Sequence, residues 1–346
     1  MSAMKAVVLQ QPGDIRVEHR RVPEPGPGEV LVRIRAVGVC GSDVHYYKEG
    51  RIGRYVVEKP LILGHESAGE VVALGPGVSN LSVGSRVALE PGVPCRRCRT
   101  CKSGRYNLCP DVTFMATPPV DGAFVEYIAW PADFTYPLPE NLGYAEGALM
   151  EPLAVGMHAV RRARLVPGCT VLVLGGGPIG QLALLAAKAA GAGRIILADL
   201  EDRRLQVASS LGADVTVNPR QVSIFDTVRA ATGGEGPDLV IEAAGSADTI
   251  RQGIELVRRG GTVVWIGLPG IDPCPISVLQ AIDKEVDILG IFRYANVYPD
   301  AIRLAASGKI NLAPLITHRF PLEEARHALD TVAEQKSSAV KVLVEV

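Results

Sequence analysis

Thr170-Val171-Leu172-Val173-Leu174-Gly175-Gly176-Gly177-Pro178-Ile179-Gly180 is the stretch that decides the fold. An apolar run of strand length ends abruptly in a glycine turn, and good helix formers follow from Gln181 to Ala190. A second apolar run, Arg194 to Ala198, is terminated by Asp199. A G-x-G-x-x-G alone carries little weight, but strand, glycine turn, helix, strand and acid in that order predict a dinucleotide cradle. Gly175 permits the tight turn, Gly177 lets the backbone approach a pyrophosphate, and Gly180 lets helix and strand pack closely. Pro178 and Ile179 open the helix, whose free N–H groups and partial positive charge favour phosphates. Asp199 accepts hydrogen bonds from ribose hydroxyls and repels a 2′-phosphate, which favours NAD. Arg203 and Arg204, just behind it, keep NADP as the lesser alternative.

The alternation continues downstream. Asp214–Val217, Asp238–Glu242, Thr262–Ile266 and Val286–Ile291 read as strands, with helices over Gln221–Ala231 and Asp248–Arg258. Strands alternating with helices imply a parallel, doubly wound sheet, so the fold class is α/β. Gly267 and Leu268 then sit where strand ends face the cofactor, and Phe292-Arg293-Tyr294 follows the last strand. The tail reads as helices over Tyr298–Ala306 and Leu322–Ala333 and a strand over Val340–Val346. That last strand is able to rejoin the first half of the chain.

The first half is different. Met4–Leu9, Val30–Val37, Ser67–Leu74, Arg86–Leu89 and Ala123–Ala129 are short strand-like runs punctuated by proline and glycine. No long helical period precedes about residue 140, so a mostly β domain is expected. Within it stand Cys40, in Gly38-Val39-Cys40-Gly41-Ser42-Asp43, and His65-Glu66, in Leu63-Gly64-His65-Glu66-Ser67. Thiolate, imidazole and carboxylate are ligands that zinc accepts, and three of them with an open fourth position describe a catalytic site. Taken alone, His65-Glu66 reads more readily as a loop dipeptide with local hydrogen bonds, and the rest of the chain shifts that balance. Cys95-x2-Cys98-x2-Cys101-x7-Cys109 is the strongest local signal, four thiolates able to close a tetrahedron around a structural zinc. Zinc with four thiolates carries net negative charge, and Arg96, Arg97, Arg99, Lys102 and Arg105 lie between the ligands to offset it. Glu151 is the single carboxylate in an apolar helix opening, Gly147–Ala154. It either favours the helix dipole or serves the metal.

A chain of 346 residues with 47% apolar composition accommodates two domains with substantial cores. The net charge of −1 gives no global field for nucleic acid or an anionic membrane. No apolar run approaches the ~20 residues of a membrane span, and the first residues lack a signal-peptide layout. A soluble, cytoplasmic protein is expected, in which the clustered members of the seven cysteines bind metal rather than pair.

The zinc stretches and the glycine turn together resemble the zinc-dependent medium-chain dehydrogenase/reductase family. Gly64-His65-Glu66-x2-Gly69, Gly75 and Gly84-Ser85-Arg86-Val87 carry the resemblance, with Ser85 where aspartate is usual. Within the family the chain is most similar to sorbitol and related polyol dehydrogenases. The matching pieces are Cys40–Tyr46, Gly50–Gly53, Ala116–Pro119, Gly147–Leu153 and Phe292–Asn296. Mammalian sorbitol enzymes lack the four-cysteine lobe, which points to another branch.

The resemblance implies a GroES-like, mostly β catalytic domain over 1–154 and 293–346, and a Rossmann domain over 155–292. It implies a catalytic zinc on Cys40, His65 and Glu66, with a water held by Glu151, and NAD as cofactor. Ser42 and His45 match proton-relay positions, with an exposed loop as the alternative for His45. Tyr46, Arg293 and Tyr294 are expected to hydrogen-bond polyol hydroxyls, Ile52 and Phe114 to wall the pocket, and Arg204, Phe292 and Arg293 to join the cofactor contacts. Surface placement is the alternative for Tyr46. A homotetramer is implied, with a dimer as the alternative. Competing activities are a butanediol, threonine or other secondary-alcohol dehydrogenase and, from another class, a non-catalytic NAD-binding zinc protein.

Overall fold

The computed structural model describes residues 3–270, 273–335 and 337–346. The chain divides into two units: Met1–Glu151 with Tyr298–Ser307 and Leu312–Val346, and Pro152–Val297 with Gly308–Asn311. Among the described residues, no helix is long and apolar enough to cross a membrane.

The first unit is built on strand Glu29–Gly38. Its Val30, Val32 and Ile34 are buried and alternate with more exposed neighbours, the period-2 pattern of a half-buried strand. It pairs antiparallel with Glu66–Leu74, with Tyr127–Pro131 and with the C-terminal strand Lys341–Glu345. Arg86–Leu89 and Thr135–Pro137 extend the sheet on one side and Ile316–Pro321 on the other. A hairpin, Ala3–Gln11 with Asp14–Arg21, lies apart from this sheet. Val8, Leu9, Leu63, Met115 and Phe124 fill the interior. The chain's last strand is thus an interior member of the sheet that its first residues help to cover.

Three expectations differ from what is found. A helix, Gly41–Glu49, stands where none was expected. GSDVHYYKE has no apolar stripe, and the residues it buries are Asp43, Tyr46 and Tyr47, two of which read as surface residues in a sequence. The strand expected over Ala123–Ala129 begins only at Tyr127. The N–H groups of Gly122, Ala123 and Phe124 are instead given to the carbonyls of Ile62, Gly64 and Leu63, bracing the turn that leads into His65. The helix expected from Leu322 starts at Ala325, after one 3-10 turn.

The cysteine lobe is tied to the sheet by one buried acid. Glu90 is 1% exposed. Tyr106, from the lobe, donates to its Oε1 at 2.8 Å, and Tyr136 donates to its Oε2 at 3.0 Å. Burial outweighs these two phenol bonds and pushes the Glu90 pKa up to about 7.

The second unit is a parallel six-stranded sheet among the described residues. Its order is Val215–Val217, Arg194–Ala198, Thr170–Leu174, Leu239–Glu242, Thr262–Trp265 and Asp287–Gly290. The first strand in sequence is central and the order reverses beside it, which places a ligand at the carboxyl ends of the central strands. Leu172, Leu174, Ile196, Val240 and Val263 are at most 1% exposed, the continuous apolar signature of strands covered on both faces.

A pH prediction follows from Glu90. Its folded pKa lies above the ordinary 4.5, so it stabilises the fold through its bound proton. That contribution is complete below about 4.5 and is lost as pH rises through about 7. Urea unfolding of wild type and Glu90→Gln from pH 5 to 8 is expected to show wild type losing up to about 3 kcal/mol relative to the variant. A difference that is flat with pH contradicts this assignment.

Candidate functional site

Cys40 caps the helix Gly41–Glu49 in extended conformation, which puts its sulfur at a helix N-terminus. Asp43, fully buried, fixes this corner. Its Oδ2 accepts from the Cys40 N–H and its Oδ1 from the Gly64 N–H, each at 2.9 Å, and His65 Nδ1 lies 3.6 Å from Oδ1. One side chain therefore ties together two stretches that the sequence separates. The Phe114 ring tilts against the His65 imidazole at 5.6 Å between centroids. Glu66 follows His65 as the first residue of its strand, fully buried.

Ligand atoms of Cys40, His65 and Glu66 lie within 4.8 Å of one another. The surrounding field seeks a cation. Burial disfavours the His65 imidazolium, yet Asp43 and Cys40 outweigh it and hold the pKa well above its ordinary value. Lys341, 2% exposed, behaves likewise: burial opposes its charge, and Glu66, Cys40 and Glu151 more than restore it. Its Nζ is 2.7 Å from each Glu66 carboxylate oxygen. Sulfur, imidazole and carboxylate facing one point in a negative pocket fit zinc.

The second metal set also converges. Cys95, Cys98, Cys101 and Cys109 place their sulfurs within 4.8 Å of one another. The Cys98 and Cys101 sulfurs are 3.3 Å apart, and those of Cys95 and Cys101 4.0 Å. A tetrahedron with Zn–S bonds of ~2.3 Å needs separations of about 3.8 Å. All seven cysteines are free. Within this group the Thr100 hydroxyl and the Cys101 N–H counter burial and bring Cys98 down to about 6, whereas burial and the adjoining Cys98 sulfur push Cys101 up to about 12. Of the basic residues between the ligands, Arg96 is paired with Asp133 at 2.8 Å.

In the second unit, Gly177 caps the helix Pro178–Ala189, with Pro178 at its first turn. A Cβ on Gly180 would lie 1.8 Å from the Gly175 carbonyl oxygen, so only glycine allows this helix to approach the strand end. A Cβ on Gly177 would meet nothing within 4 Å, which leaves open space above the turn. Asp199 Oδ2 accepts from the Gly176 N–H at 2.6 Å, and Oδ1 accepts from the Glu201 N–H at 2.8 Å. Arg204 faces Asp199 at 3.6 Å and is thereby directed at the acid. Gly267 follows the strand Thr262–Trp265, and Leu268 is 66% exposed beyond it.

Residues 26–140 match the alcohol dehydrogenase GroES-like domain, and residues 178–307 match the zinc-binding dehydrogenase domain. The chain belongs to the zinc-dependent medium-chain dehydrogenase/reductase family. It is 48% identical over 341 residues to the sorbitol dehydrogenase of Bacillus subtilis, covering 99% of this chain and 97% of that one. It is 45% identical over 342 residues to human sorbitol dehydrogenase, covering 98% and 95%. A crystal structure of an Escherichia coli oxidoreductase/dehydrogenase of unknown specificity, 39% identical, superposes with a TM-score of 0.96 over 99% of each chain.

The remaining expected site residues of this medium-chain dehydrogenase fall in both units. In the first, Tyr46 and Phe114 are buried, Ser42 and Ile52 half-buried, and Glu151 is buried in the first turn of the helix Met150–Arg162. His45 is exposed, its Nδ1 3.1 Å from the Glu49 carboxylate, and stands outside the metal-ligand cluster. In the second, Tyr294 is buried, and Arg293 stacks over the 46% exposed Phe292 at 4.8 Å. Sequence reasoning missed Asp43 and Lys341 beside the Cys40–His65–Glu66 cluster, and Glu242 in the second unit. Glu242 accepts from the Ala244 and Gly245 N–H groups and from Thr249 Oγ1, holding the loop after its strand. Asp43 was quoted within its motif, and its place three residues after Cys40 at a helix start was the available signal. For Lys341 the signal was a lysine heading an otherwise apolar strand.

Replacing Asp43 by alanine strands the buried Gly64 N–H, at a cost of ~1–3 kcal/mol, removes the partner of the part-buried Cys40 N–H, and releases both Cys40 and the His65 turn. We propose that each set holds one zinc, and elemental analysis of the variant is then expected to fall toward one ion per chain, with the four-cysteine ion retained. Full retention of both ions contradicts the anchoring role.

Proposed function

We propose that the protein is an NAD-dependent polyol dehydrogenase that oxidises a secondary hydroxyl of a sorbitol- or xylitol-like substrate to a ketose. The observation that carries this reading is the convergence of Cys40, His65 and Glu66, whose ligand atoms lie within 4.8 Å of one another with the histidine and glutamate buried. It stands in a chain 45–48% identical to sorbitol dehydrogenases along nearly its whole length.

Cys40, His65 and Glu66 hold the catalytic zinc, and the four cysteines of the lobe hold the structural one. Zinc bound at the first set supplies Lewis acidity toward an alcohol oxygen, and NAD accepts the hydride from the adjoining carbon. Glu151 holds a water beside the metal, its carboxylate kept in the buried pocket by the start of its helix. Ser42 and His45, on one helix, pass the hydroxyl proton outward; the exposure of His45 suits the solvent end of such a relay. Tyr46, Arg293 and Tyr294 bind the further hydroxyls that distinguish a polyol from a simple alcohol. Ile52 and Phe114 wall the pocket and exclude water. In the second unit Gly175, Gly177, Pro178, Ile179 and Gly180 cradle the pyrophosphate, Asp199 takes the ribose, and Arg204, Gly267, Leu268, Phe292 and Arg293 complete the contacts.

We also infer a cytoplasmic homo-oligomer, a tetramer with a dimer as the alternative. Strand Asp287–Gly290 is an edge of its sheet, and Val278, Leu279 and Ile282 in the helix that precedes it in the chain are 60–71% exposed, features suited to a second copy. Free thiols throughout suit a reducing compartment.

A panel of polyols and simple alcohols followed by NADH absorbance tests the activity. Sorbitol or xylitol is expected to exceed 2,3-butanediol, threonine and 2-propanol by about 100-fold in kcat/KM, and a reversed order assigns the chain to one of the competing activities. No turnover of any alcohol supports the non-catalytic reading. Asp199→Ser is expected to raise the NADP-to-NAD efficiency ratio tenfold or more. An unchanged ratio contradicts the role of Asp199.

A further inference from the structure

Glu66, Gly38 and Lys341 lie on three consecutive strands of one sheet. Gly38 is the register partner of Glu66 on one side and of Leu343 on the other. A Cβ at Gly38 would lie 1.9 Å from Glu66 Oε2, so the glutamate side chain passes through the space that the glycine leaves vacant. At the end of this passage it meets the Lys341 ammonium at 2.7 Å from Oε1 and 2.7 Å from Oε2. The same ammonium donates to the Val39 carbonyl oxygen at 3.2 Å, which fixes it beside Cys40. Lysine and glutamate are both buried.

We propose that Lys341 is a positioning residue that closes the chelating side of the Glu66 carboxylate, so that the catalytic zinc takes this ligand through one oxygen only and holds it weakly. An ammonium equidistant from two carboxylate oxygens occupies one lone pair on each, on the side from which a single ion grips both. A metal on the Cys40 and His65 side is left with a lone pair on one oxygen. The fixed positive charge beside the ligand drains its donor strength and lies close to the metal, which keeps the zinc electron-poor toward substrate oxygen. Gly38 is the second part of the device, since any side chain there would block the crossing.

This inference rests on Glu66 being a zinc ligand, and the experiment separates the two. Wild type, Glu66→Gln and Lys341→Met are prepared with Co²⁺ exchanged into the Cys40–His65–Glu66 site. Visible absorption and zinc affinity by chelator competition are then measured. In Lys341→Met the freed carboxylate is expected to bind through both oxygens. The cobalt bands weaken as the coordination number rises, zinc is held on the order of tenfold more tightly, and kcat falls about 10- to 100-fold while KM for NAD is unchanged. If Lys341→Met does not fold, Lys341→Leu, which likewise removes both the charge and the donor, is read in the same way. A Lys341 variant with the wild-type spectrum and affinity overturns the proposal, as does one that simply loses the metal. If Glu66→Gln itself leaves the spectrum unchanged, Glu66 is not a ligand and the metal set of the proposed function fails first.

Discussion

One buried carboxylate stands between two sets of partners. Glu66 faces Cys40 and His65 on one side and Lys341 on the other, and the histidine, the glutamate and the lysine are all buried away from screening water. In such surroundings an unpaired charge is costly, and breaking a buried pair by removing one partner costs on the order of 3–5 kcal/mol. The sheet of the first unit is arranged so that this does not occur. The Glu66 strand, the Gly38 strand and the C-terminal strand must pair in their observed register, because a slip of one residue would turn Glu66 to the other face. The convergence of Cys40, His65 and Glu66 therefore depends on the C-terminal strand joining a sheet begun in the first half of the chain, and the partners of its ion pair lie 275 residues apart.

The same economy governs the rest of the first unit. Asp43 joins the helix that starts at Cys40 to the turn that presents His65. The Ile62–Gly64 carbonyls are occupied by Gly122–Phe124, so the turn is held from both sides. Glu90 ties the cysteine lobe to the sheet through Tyr106 and Tyr136. Ser85, where aspartate is usual in the family, still forms a local bond, its hydroxyl accepting from the Ser82 N–H at 3.2 Å. Each ligand is placed by a polar group whose own partners are satisfied, the condition under which buried polar networks specify geometry rather than weaken it.

The dinucleotide unit was legible because its information is local. Buried parallel strands read as continuous apolar runs, and the Gly180 requirement is set by a carbonyl only five residues away. The four-cysteine lobe was legible for the same reason, its ligands lying within one short segment. The ligands Cys40, His65 and Glu66 could be nominated by type, but their convergence depends on strand pairing that no spacing encodes. Lys341 lay beyond reach, since a lysine at the head of Val342-Leu343-Val344 looks like a solvent-facing charge until the sheet order is known. The helix Gly41–Glu49 escaped because its buried residues are an aspartate and two tyrosines, and strand Asp14–Arg21 escaped because five of its eight residues are exposed and most are charged.

The central claim is that Cys40, His65 and Glu66 hold a catalytic zinc distinct from the one in the cysteine lobe. Anomalous diffraction across the zinc absorption edge, on crystals of the purified enzyme, tests it most directly. Two peaks per chain are expected, one among Cys95, Cys98, Cys101 and Cys109, the other within bonding reach of Cys40 Sγ, a His65 ring nitrogen and a single Glu66 oxygen. A single peak, confined to the cysteine lobe of a fully metallated and active enzyme, contradicts the account.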